Sequence, residues 1–507
     1  MAKSSAKLPG IGRIAAGAGT AAALALAGCT LGPNFTPPKA PPETTYTSHG
    51  AAEKQAGDQH FALGAKITGD WWTLFRSDPL DAVLKQAVAG NRSLVAAQAT
   101  LAAAQESVNA ALAGLYPQVD LGASAVRQHI NGAQFGLPEL PPQFPPYSNL
   151  FRVGPTVSYA LDIFGGTRRT IEESAALAAV QDYQLDAAYL TLTGNAVLQA
   201  LTIASLRAQL DTVDGIVADD QRNLDLVHTE LRAGVATQLD IETATSQLAT
   251  DRTLRPPLLQ QLSVARHALT VLVGKVPSNW QPPNFDLDRI TLPTELPLSL
   301  PSSLVRQRPD LLAAEAQLHA ASAAIGVATA QLYPQITLTG AMSQQAISLD
   351  TLFHGASNVW SLGPSLTMPI FHAGALEAER RRAVDNFNAA LATYEQTVLQ
   401  AFGQVADVLE ALNHDAELLA EEQSALRSAQ SSLDLTRRSY SIGSVGILQV
   451  VDAQRVAEQA RLGFVRAKVQ RYLDTAQLFV AMGGGWWSWR ANAAAPAAAM
   501  PVSAPAR

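Results

Sequence analysis

The sequence predicts a mixed α and β membrane protein with two internal repeats. Segments that alternate apolar with polar residues, as β-strands do, occur in two pairs. Each pair precedes a helical pattern of about 65 residues without proline, on the order of 100 Å of α-helix. Residues 91–124 align without a gap with residues 308–341, and both contain Leu-Tyr-Pro-Gln, at Leu115 and at Leu332. A helix of this length needs neighbouring helices along it, so we expect a coiled coil.

The composition excludes several function classes. Lys and Arg number 36 and Asp and Glu number 43, so the net charge of −7 does not favour nucleic-acid binding. The nine histidines are scattered and there is one cysteine, so we predict no metal site, no cofactor and no enzymatic activity. Adjacent carboxylates such as Asp219 and Asp220 point about 100° apart on a helix, and we expect them on a solvated face.

Residues 1–28 are predicted to be a lipoprotein signal peptide. Lys3, Lys7 and Arg13 precede an apolar run that ends in Leu-Ala-Gly-Cys at Cys29. This ending resembles the bacterial lipobox, which implies that Cys29 carries an N-acyl group such as palmitate and an S-diacylglycerol. An ordinary signal peptide with an incidental cysteine is the alternative. Thr30 stands where an Asp favours inner-membrane retention, so we expect the outer membrane.

Residues 78–276 and 306–485 are the two predicted repeats, each a helix, a β-hairpin, a long helix and a return helix. Pro256-Pro257 predicts a kink in the first return helix. The hairpin, long helix and return helix are predicted at about 116–163, 167–232 and 237–273 in the first repeat, and at about 333–370, 374–440 and 448–482 in the second.

Three segments outside the repeats lack periodicity. We expect residues 29–77 to be a lipid-anchored extended segment and residues 277–305 to be a proline-rich extended connector. Residues 486–507 are rich in alanine and proline, and we expect this tail to be disordered.

The predicted strands have one apolar and one polar face. In residues 151–163, Val157, Tyr159 and Leu161 alternate with polar residues, as transmembrane β-barrel strands of about ten residues do. An ordinary antiparallel sheet packed on a helix gives the same alternation. Four strands do not close around a lumen and a free edge is not tolerated in lipid, so we expect oligomers. A dimer would give eight strands and a trimer twelve.

Several motifs together resemble the outer-membrane efflux factors of the TolC family. The match is nearest to the lipoprotein branch, called NodT-like or OprM-like, that serves resistance-nodulation-division pumps. The motifs are the lipobox, Thr-Leu-Gly-Pro-Asn-Phe after Cys29, Trp71-Trp72-Thr-Leu-Phe, the two Leu-Tyr-Pro-Gln runs, Ile370-Phe-His-Ala-Gly374 and Met482-Gly-Gly-Gly-Trp486.

The resemblance implies an architecture and partners. It implies a homotrimer with four strands per chain in one 12-stranded transmembrane β-barrel, continued by a periplasmic α-helical coiled-coil barrel. It also implies a periplasmic adaptor, or membrane fusion protein, and an inner-membrane resistance-nodulation-division pump as partners, with outer-membrane lipid around the strands.

The resemblance further implies a gate where each long helix turns into its return helix. The gate candidates are Tyr440, Asp452, Asp240, Gln449 and Val445, with Gly234 and Gly443 as turn glycines. Some members have a basic residue at the position of Val445 and a second acidic residue at that of Gln449, so a gate of apolar and hydrogen-bonding contacts is an alternative to an ion-pair latch. Asp240 and Asp452 are alternatively helix N-terminal acids.

The function implied is that of a passive exit duct in a tripartite efflux system, opened when the adaptor docks. Its cargo would be drugs, toxic compounds or metal ions, which associates the protein with multidrug resistance. An exit duct for type I protein secretion shares this architecture. A lipid-anchored coiled-coil tether without a pore is the third hypothesis.

Overall fold

The computed structural model describes residues 30–47, 55–65, 67–131, 133, 136, 138, 147–487 and 489. The predicted signal peptide and Cys29 lie outside the described residues, as does most of the predicted tail. Trp486 and Trp487, the first residues of that tail, are helical, and Nε1 of Trp486 donates to the carbonyl oxygen of Gln307 at 2.6 Å. The prediction that disorder begins at residue 486 is wrong, because both residues are helical and half-buried.

The helices follow the predicted order. They are α1 (Asp78–Gly90), α2 (Arg92–Ala113), α3 (Gly166–Arg232), α4 (Gln238–Arg252), α5 (Arg255–Leu272), α6 (Pro301–Leu304), α7 (Pro309–Ala330), α8 (Ala375–Ser441) and α9 (Ile447–Ala481). Helices α3 and α8 each have 67 residues. The first return helix is broken into α4 and α5 and is not merely kinked, because Pro256 and Pro257 begin a new helix and donate no backbone hydrogen bond.

The strands are β1 (Gln55–Ala56), β2 (Gln59–Leu63), β3 (Gln118–His129), β4 (Tyr147–Leu161), β5 (Glu295–Leu298), β6 (Gln335–Ala346) and β7 (Asn358–Thr367). The chain divides into two compact units. Among the described residues, the strand unit lies within 30–38, 101–180 and 314–394, and the helical unit lies within 39–100, 181–313 and 395–489.

The strand unit contains an antiparallel sheet in the order β3-β4-β6-β7. Its register places apolar residues on one face, because paired residues share a face: Leu121 pairs with Pro155, Tyr159 with Leu338, and Met342 with Trp360. The opposite face carries polar pairs such as Thr337 with Ser365. Strands β3 and β7 are the two outer strands of this sheet. The predicted division into an apolar and a polar face therefore extends across all four strands.

The helical unit contains a small sheet that the sequence analysis did not predict. Strand β2 pairs antiparallel with β1 and parallel with β5. The segments expected to be merely extended, residues 29–77 and 277–305, thus pair with each other. These strands have two to five residues, too few to show a period of two. Next to them, Trp71 and Phe75 are buried, and the Trp71 ring stacks on Phe479 with 5.1 Å between centroids.

Helices α3 and α7 each contain an 18-residue window that is long and apolar enough to cross a membrane. Of these windows, 56% and 39% respectively are buried inside the protein. A helix that packs inside a protein passes the same test, so the windows alone do not indicate membrane spans.

Candidate functional site

The two helix-to-helix turns have the same backbone geometry. Gly234 follows α3 with φ of 74°, and Gly443 follows α8 with φ of 73°. After α3, the amide of Val235 donates to the carbonyl oxygen of Glu230 at 2.9 Å, and after α8 the amide of Ser444 donates to Ser439 at 2.9 Å. This is the Schellman motif, in which a residue in the left-handed conformation ends a helix. Glycine is favoured at both positions because it has no Cβ.

Asp240 acts at the start of α4. Its Oδ2 accepts from the backbone amide of Thr237 at 2.7 Å and from the Thr237 hydroxyl at 2.7 Å, while its own amide donates to Thr237 Oγ1 at 3.3 Å. These two residues form a capping box. The hydrogen bonds from the Thr237 backbone and hydroxyl hold the pKa of Asp240 below its usual value. In the single chain, Asp240 therefore has the role of a helix N-terminal acid.

Gln449 takes the same position at the start of α9. Its Oε1 accepts from the backbone amide of Gly446 at 3.0 Å, as Asp240 accepts from Thr237. The start of α9 therefore has a neutral amide at the position where the start of α4 has the carboxylate of Asp240. Val445, one residue before Gly446, is half-buried.

Asp452 lies further along α9 and pairs with Arg455. Arg455 Nη2 is 2.8 Å from Asp452 Oδ1, and 68% of the Asp452 side chain is exposed. Sequence reasoning examined Val445 as the position of a basic partner and missed Arg455, although the spacing of three residues on a helix is a signal for such a pair.

Tyr440 joins the two long helices. Its hydroxyl on α8 donates to Oε2 of Glu230 on α3. Burial, and next the hydrogen bond to Glu230, raise the pKa of Tyr440 above its usual range. Sequence reasoning missed Glu230, because the partner is 210 residues away along the chain and no local pattern marks it.

An apolar cluster lies beside Tyr440. It draws its buried residues from α3, α4 and α9, and Tyr440 packs against it; its members are Leu224, Val227, Ile241, Ala244, Leu248, Ile447 and Val450. Among the described residues, no hydrogen bond or ion pair joins any two of the five gate candidates to each other. Within one chain, apolar packing and one tyrosine–glutamate bond therefore hold the two turns together.

Asp219 and Asp220 are the adjacent carboxylates expected on a solvated face of α3. Asp219 pairs with Arg222 at the surface, but Asp220 is only 3% exposed. Burial, together with the carboxylates of Asp251, Glu458 and Asp219, raises the pKa of Asp220 well above its usual value. The expectation of a solvated face is wrong for Asp220, because α3 packs against neighbouring helices on more than one side.

In the strand unit, the chain just after Cys29 is held by the start of α3. The buried Arg169 donates to the carbonyl oxygen of Leu31 at 3.0 Å and to Oδ1 of Asn34 at 2.8 Å. The ring of Phe35 stacks on His319 with 4.4 Å between centroids. The segment next to the predicted lipidation site is therefore fixed to the protein by specific contacts.

The family profile described as outer membrane efflux protein matches residues 83–275 and 300–484. The probable efflux pump outer membrane protein SepC of Pseudomonas putida is 30% identical over 475 residues, which cover 92% of this chain and 96% of SepC. The pyoverdine export outer membrane protein OpmQ of Pseudomonas aeruginosa is 30% identical over 85% of this chain and 91% of OpmQ. The cation efflux system protein CusC of Escherichia coli is 27% identical over 92% of this chain and 97% of CusC.

Solved structures agree with these matches. The outer-membrane channel OprN superposes with a TM-score of 0.80 at 27% identity, over 90% of this chain and 100% of OprN. A crystal structure of CusC superposes with a TM-score of 0.76 at 25% identity, over 90% of this chain and 100% of CusC. These proteins are channel and transport proteins rather than enzymes. The resemblance noted in the sequence is confirmed, and the chain belongs to the family of outer membrane efflux proteins, with its place in the outer membrane.

Proposed function

We propose that the chain is the passive exit duct of a tripartite efflux system, and that three copies close one 12-stranded barrel in the outer membrane. The observation that carries this proposal is the sheet β3-β4-β6-β7, with its continuous apolar face and its two outer strands. Its strands have 10 to 15 residues, and about 9–11 tilted residues cross a bilayer. The outer strands must pair with other copies in lipid, because unpaired backbone groups there cost several kcal/mol each.

The proposed duct is built from two repeats per chain. A helix, two strands, a 67-residue helix and a return segment occur in the same order twice. The family profile also matches in two segments, residues 83–275 and 300–484. Three chains with two long helices each would supply the α-helical barrel in the periplasm.

The gate we propose is an apolar closure, without an ion-pair latch between the two turns. The apolar cluster beside Tyr440 supports this, as does the pairing of Asp452 with Arg455 on the same helix. In a trimer, three Asp452 carboxylates that face the pore would attract cations, and Arg455 would offset their charge.

Single-channel recording tests whether three Asp452 carboxylates, one from each chain, form a ring that faces the pore. We expect Asp452→Ala to lower cation preference and Arg455→Ala to raise it, since the latter leaves the carboxylates unpaired. Unchanged cation preference and closed-state conductance in both variants would contradict a pore-facing ring and leave Asp452 as an ordinary surface residue of α9.

The cargo we propose is small molecules. The relatives are named for toluene, pyoverdine and cations. Because these compounds differ in charge and polarity, we assign the selection of the cargo to the inner-membrane pump. A protein-secretion duct would have the same architecture and a different pump.

We also propose that Cys29 carries the lipid anchor and that no other cofactor is bound. The contacts of Arg169 with residues 31–34 would then hold the lipid at the start of α3. Cys29→Ser should leave the protein in the membrane, because the barrel anchors it independently. A tether without a pore would be released as a soluble protein.

Crosslinking in living cells followed by mass spectrometry tests the pump assignment. Recovery of a periplasmic adaptor and a resistance-nodulation-division pump is expected. Recovery of a protein-exporting ATPase in their place would support type I secretion, and recovery of no inner-membrane partner would contradict the duct.

A further inference from the structure

A cavity of about 780 Å³ lies within the helical unit. Residues of four segments line it: 204–212 of α3, 284–288 before β5, 426–430 of α8 and 461–468 of α9. On α3 and on α9 the lining residues recur every three or four positions, so each helix presents one face to the cavity. A cavity of this volume accommodates a ligand of the size of a short peptide.

Two arginine side chains that line this cavity are unpaired. Among the described residues, the side chains of Arg207 and Arg461 form no hydrogen bond and no ion pair. Arg207 is half-buried on α3, where burial and next the charge of Arg266 lower its pKa, and Arg461 is exposed on α9. A guanidinium group has a planar set of donors that matches a carboxylate. Both arginines are therefore available to the carboxylates of a ligand.

Two of the carboxylates that line the cavity are already paired with other residues. Lys468 Nζ lies 2.7 Å from Asp288 Oδ1. Asp286 Oδ2 lies 3.3 Å from Nε of Arg289, which does not line the cavity. These two carboxylates therefore do not occupy the unpaired arginines.

The third carboxylate belongs to Asp211, one turn beyond Arg207 on α3. Its charge acts on Arg207, but in the described part of the chain its side chain forms no hydrogen bond or ion pair. Asp211 is exposed, so an amine of a ligand can reach it. The cavity thus offers a ligand two cationic groups and one anionic group.

Apolar side chains complete the lining. Phe285 and Leu287 are buried, and Leu426 and Phe464 are half-buried. In small-molecule pockets, apolar surface of this kind contacts the hydrocarbon part of a ligand, and a few polar groups fix its orientation. The ligand that fits is a short peptide with carboxylates, an amine and an aliphatic chain.

The place of the chain in the cell indicates which molecule of this kind it meets. The long helices of an outer-membrane duct cross the periplasm and therefore pass through the peptidoglycan cell wall. The stem peptides of this wall carry several carboxylates and, on diaminopimelate, a free amine at the end of an aliphatic chain. We propose that the cavity lined by Arg207 and Arg461 binds a peptidoglycan stem peptide. This proposal rests on the proposed duct, which places the helical unit in the periplasm.

The charges of the cavity define how the stem peptide binds. Arg207 and Arg461 each receive one carboxylate through paired N–H donors. Asp211 accepts the amine of diaminopimelate, and Phe464 and Leu426 contact its aliphatic chain. Binding in this way fastens the duct to the cell wall and limits its movement in the periplasm.

Isothermal titration calorimetry tests the proposal on the full-length protein in detergent, with a purified disaccharide tetrapeptide that contains diaminopimelate. We expect saturable binding of one peptide per chain that weakens as salt is added. Arg461→Gln should weaken binding roughly tenfold or more, because a charge-assisted hydrogen bond is lost. Arg207→Gln should act in the same direction. Arg461 is exposed, so its substitution should leave the fold intact.

Arg466→Gln is the matched control, because it makes the same charge change on α9 at an exposed residue outside the cavity lining. It should bind like the unmodified protein. A disaccharide tetrapeptide whose carboxylates are amidated should bind roughly tenfold more weakly or worse, since it keeps the size of the ligand and loses its charge.

Four results would overturn the proposal. They are no saturable binding up to millimolar concentration, equal affinities of Arg461→Gln and Arg466→Gln, equal binding of the amidated peptide, and a role of the cavity in binding the periplasmic adaptor instead. The last result would appear as weaker adaptor binding to Arg461→Gln than to Arg466→Gln, without binding of the stem peptide. The mass of the oligomer in the same preparation tests the duct separately, so a trimer that does not bind the peptide contradicts only the cavity proposal.

Discussion

The α3–α4 turn and the α8–α9 turn share one backbone geometry and differ in what secures them. The first has a capping box of Thr237 and Asp240, and its return helix breaks after 15 residues. The second has the neutral Gln449 at the matching position, and α9 continues for 35 residues. Tyr440 then links the second turn to Glu230 of the first. The difference shows that the first turn has a reciprocal cap with a carboxylate, while the second has a neutral cap from Gln449.

The largest expected loss of stability comes from substitutions in the apolar cluster that both turns share. Ile241 and Val450 occupy the same position in the two repeats, and both are buried in this cluster. Ile241→Ala should cost about 2–5 kcal/mol of stability, and Val450→Ala should cost less because it removes fewer methyl groups. Thermal unfolding followed by circular dichroism measures both.

Leu239→Ala is the control for that pair, because Leu239 is exposed at the same turn. Its effect should stay within about 0.5 kcal/mol. A control effect as large as that of Ile241→Ala would show that exposed and buried apolar residues of the turn contribute alike, which the account excludes.

The next largest loss of stability is expected at the turn glycines, Gly234 and Gly443. Gly234→Ala and Gly443→Ala place a Cβ at positive φ, where it costs about 1–2 kcal/mol, and the two losses should be equal because the turns share their geometry. Gly403→Ala, in the middle of α8 with open space around it, should instead stabilise by up to about 1 kcal/mol. Unequal losses would show that one turn is strained in a way the backbone does not reveal.

Tyr440→Phe removes the hydroxyl that links the turns. We expect a loss of about 1 kcal/mol and a higher closed-state conductance in single-channel recordings, since the second turn loses its polar contact with the first. Tyr116→Phe, at an exposed tyrosine of the strand unit, should change neither. Unchanged closed-state conductance in Tyr440→Phe would show that this hydrogen bond has no role in gating.

The smallest effects concern the caps and their pH dependence. Thr237→Ala should cost about 1 kcal/mol and Gln449→Ala less. Because the pKa of Asp240 is lowered from 3.8 in the folded protein, its contribution is present above about pH 4 and is lost as the pH falls through the lowered value. In the Asp240→Asn variant, stability should fall less steeply at acidic pH. Gln449→Ala should leave the pH dependence of stability in this range unchanged.

The strands and the long helices were predictable because their signals are local and periodic. Alternation over ten or more residues marked β4 and β7, and a run without proline marked α3 and α8. The match of Asp240 with Gln449 is also visible once the two Gly-containing turns are aligned.

Contacts between distant segments were not predictable from the chain. The bond from Tyr440 to Glu230 and the pairing of β2 with β5 join residues more than 200 positions apart. Asp220 was placed wrongly because adjacency on a helix fixes an angle between two side chains, whereas burial depends on what packs around the helix.

The count of chains in the detergent-released oligomer tests the central claim, that four strands per chain close a pore only with other copies. Native mass spectrometry of the purified protein should show three chains, because twelve strands leave room for a lumen and eight are filled by side chains. A monomer or a dimer that remains folded in the membrane would contradict the account.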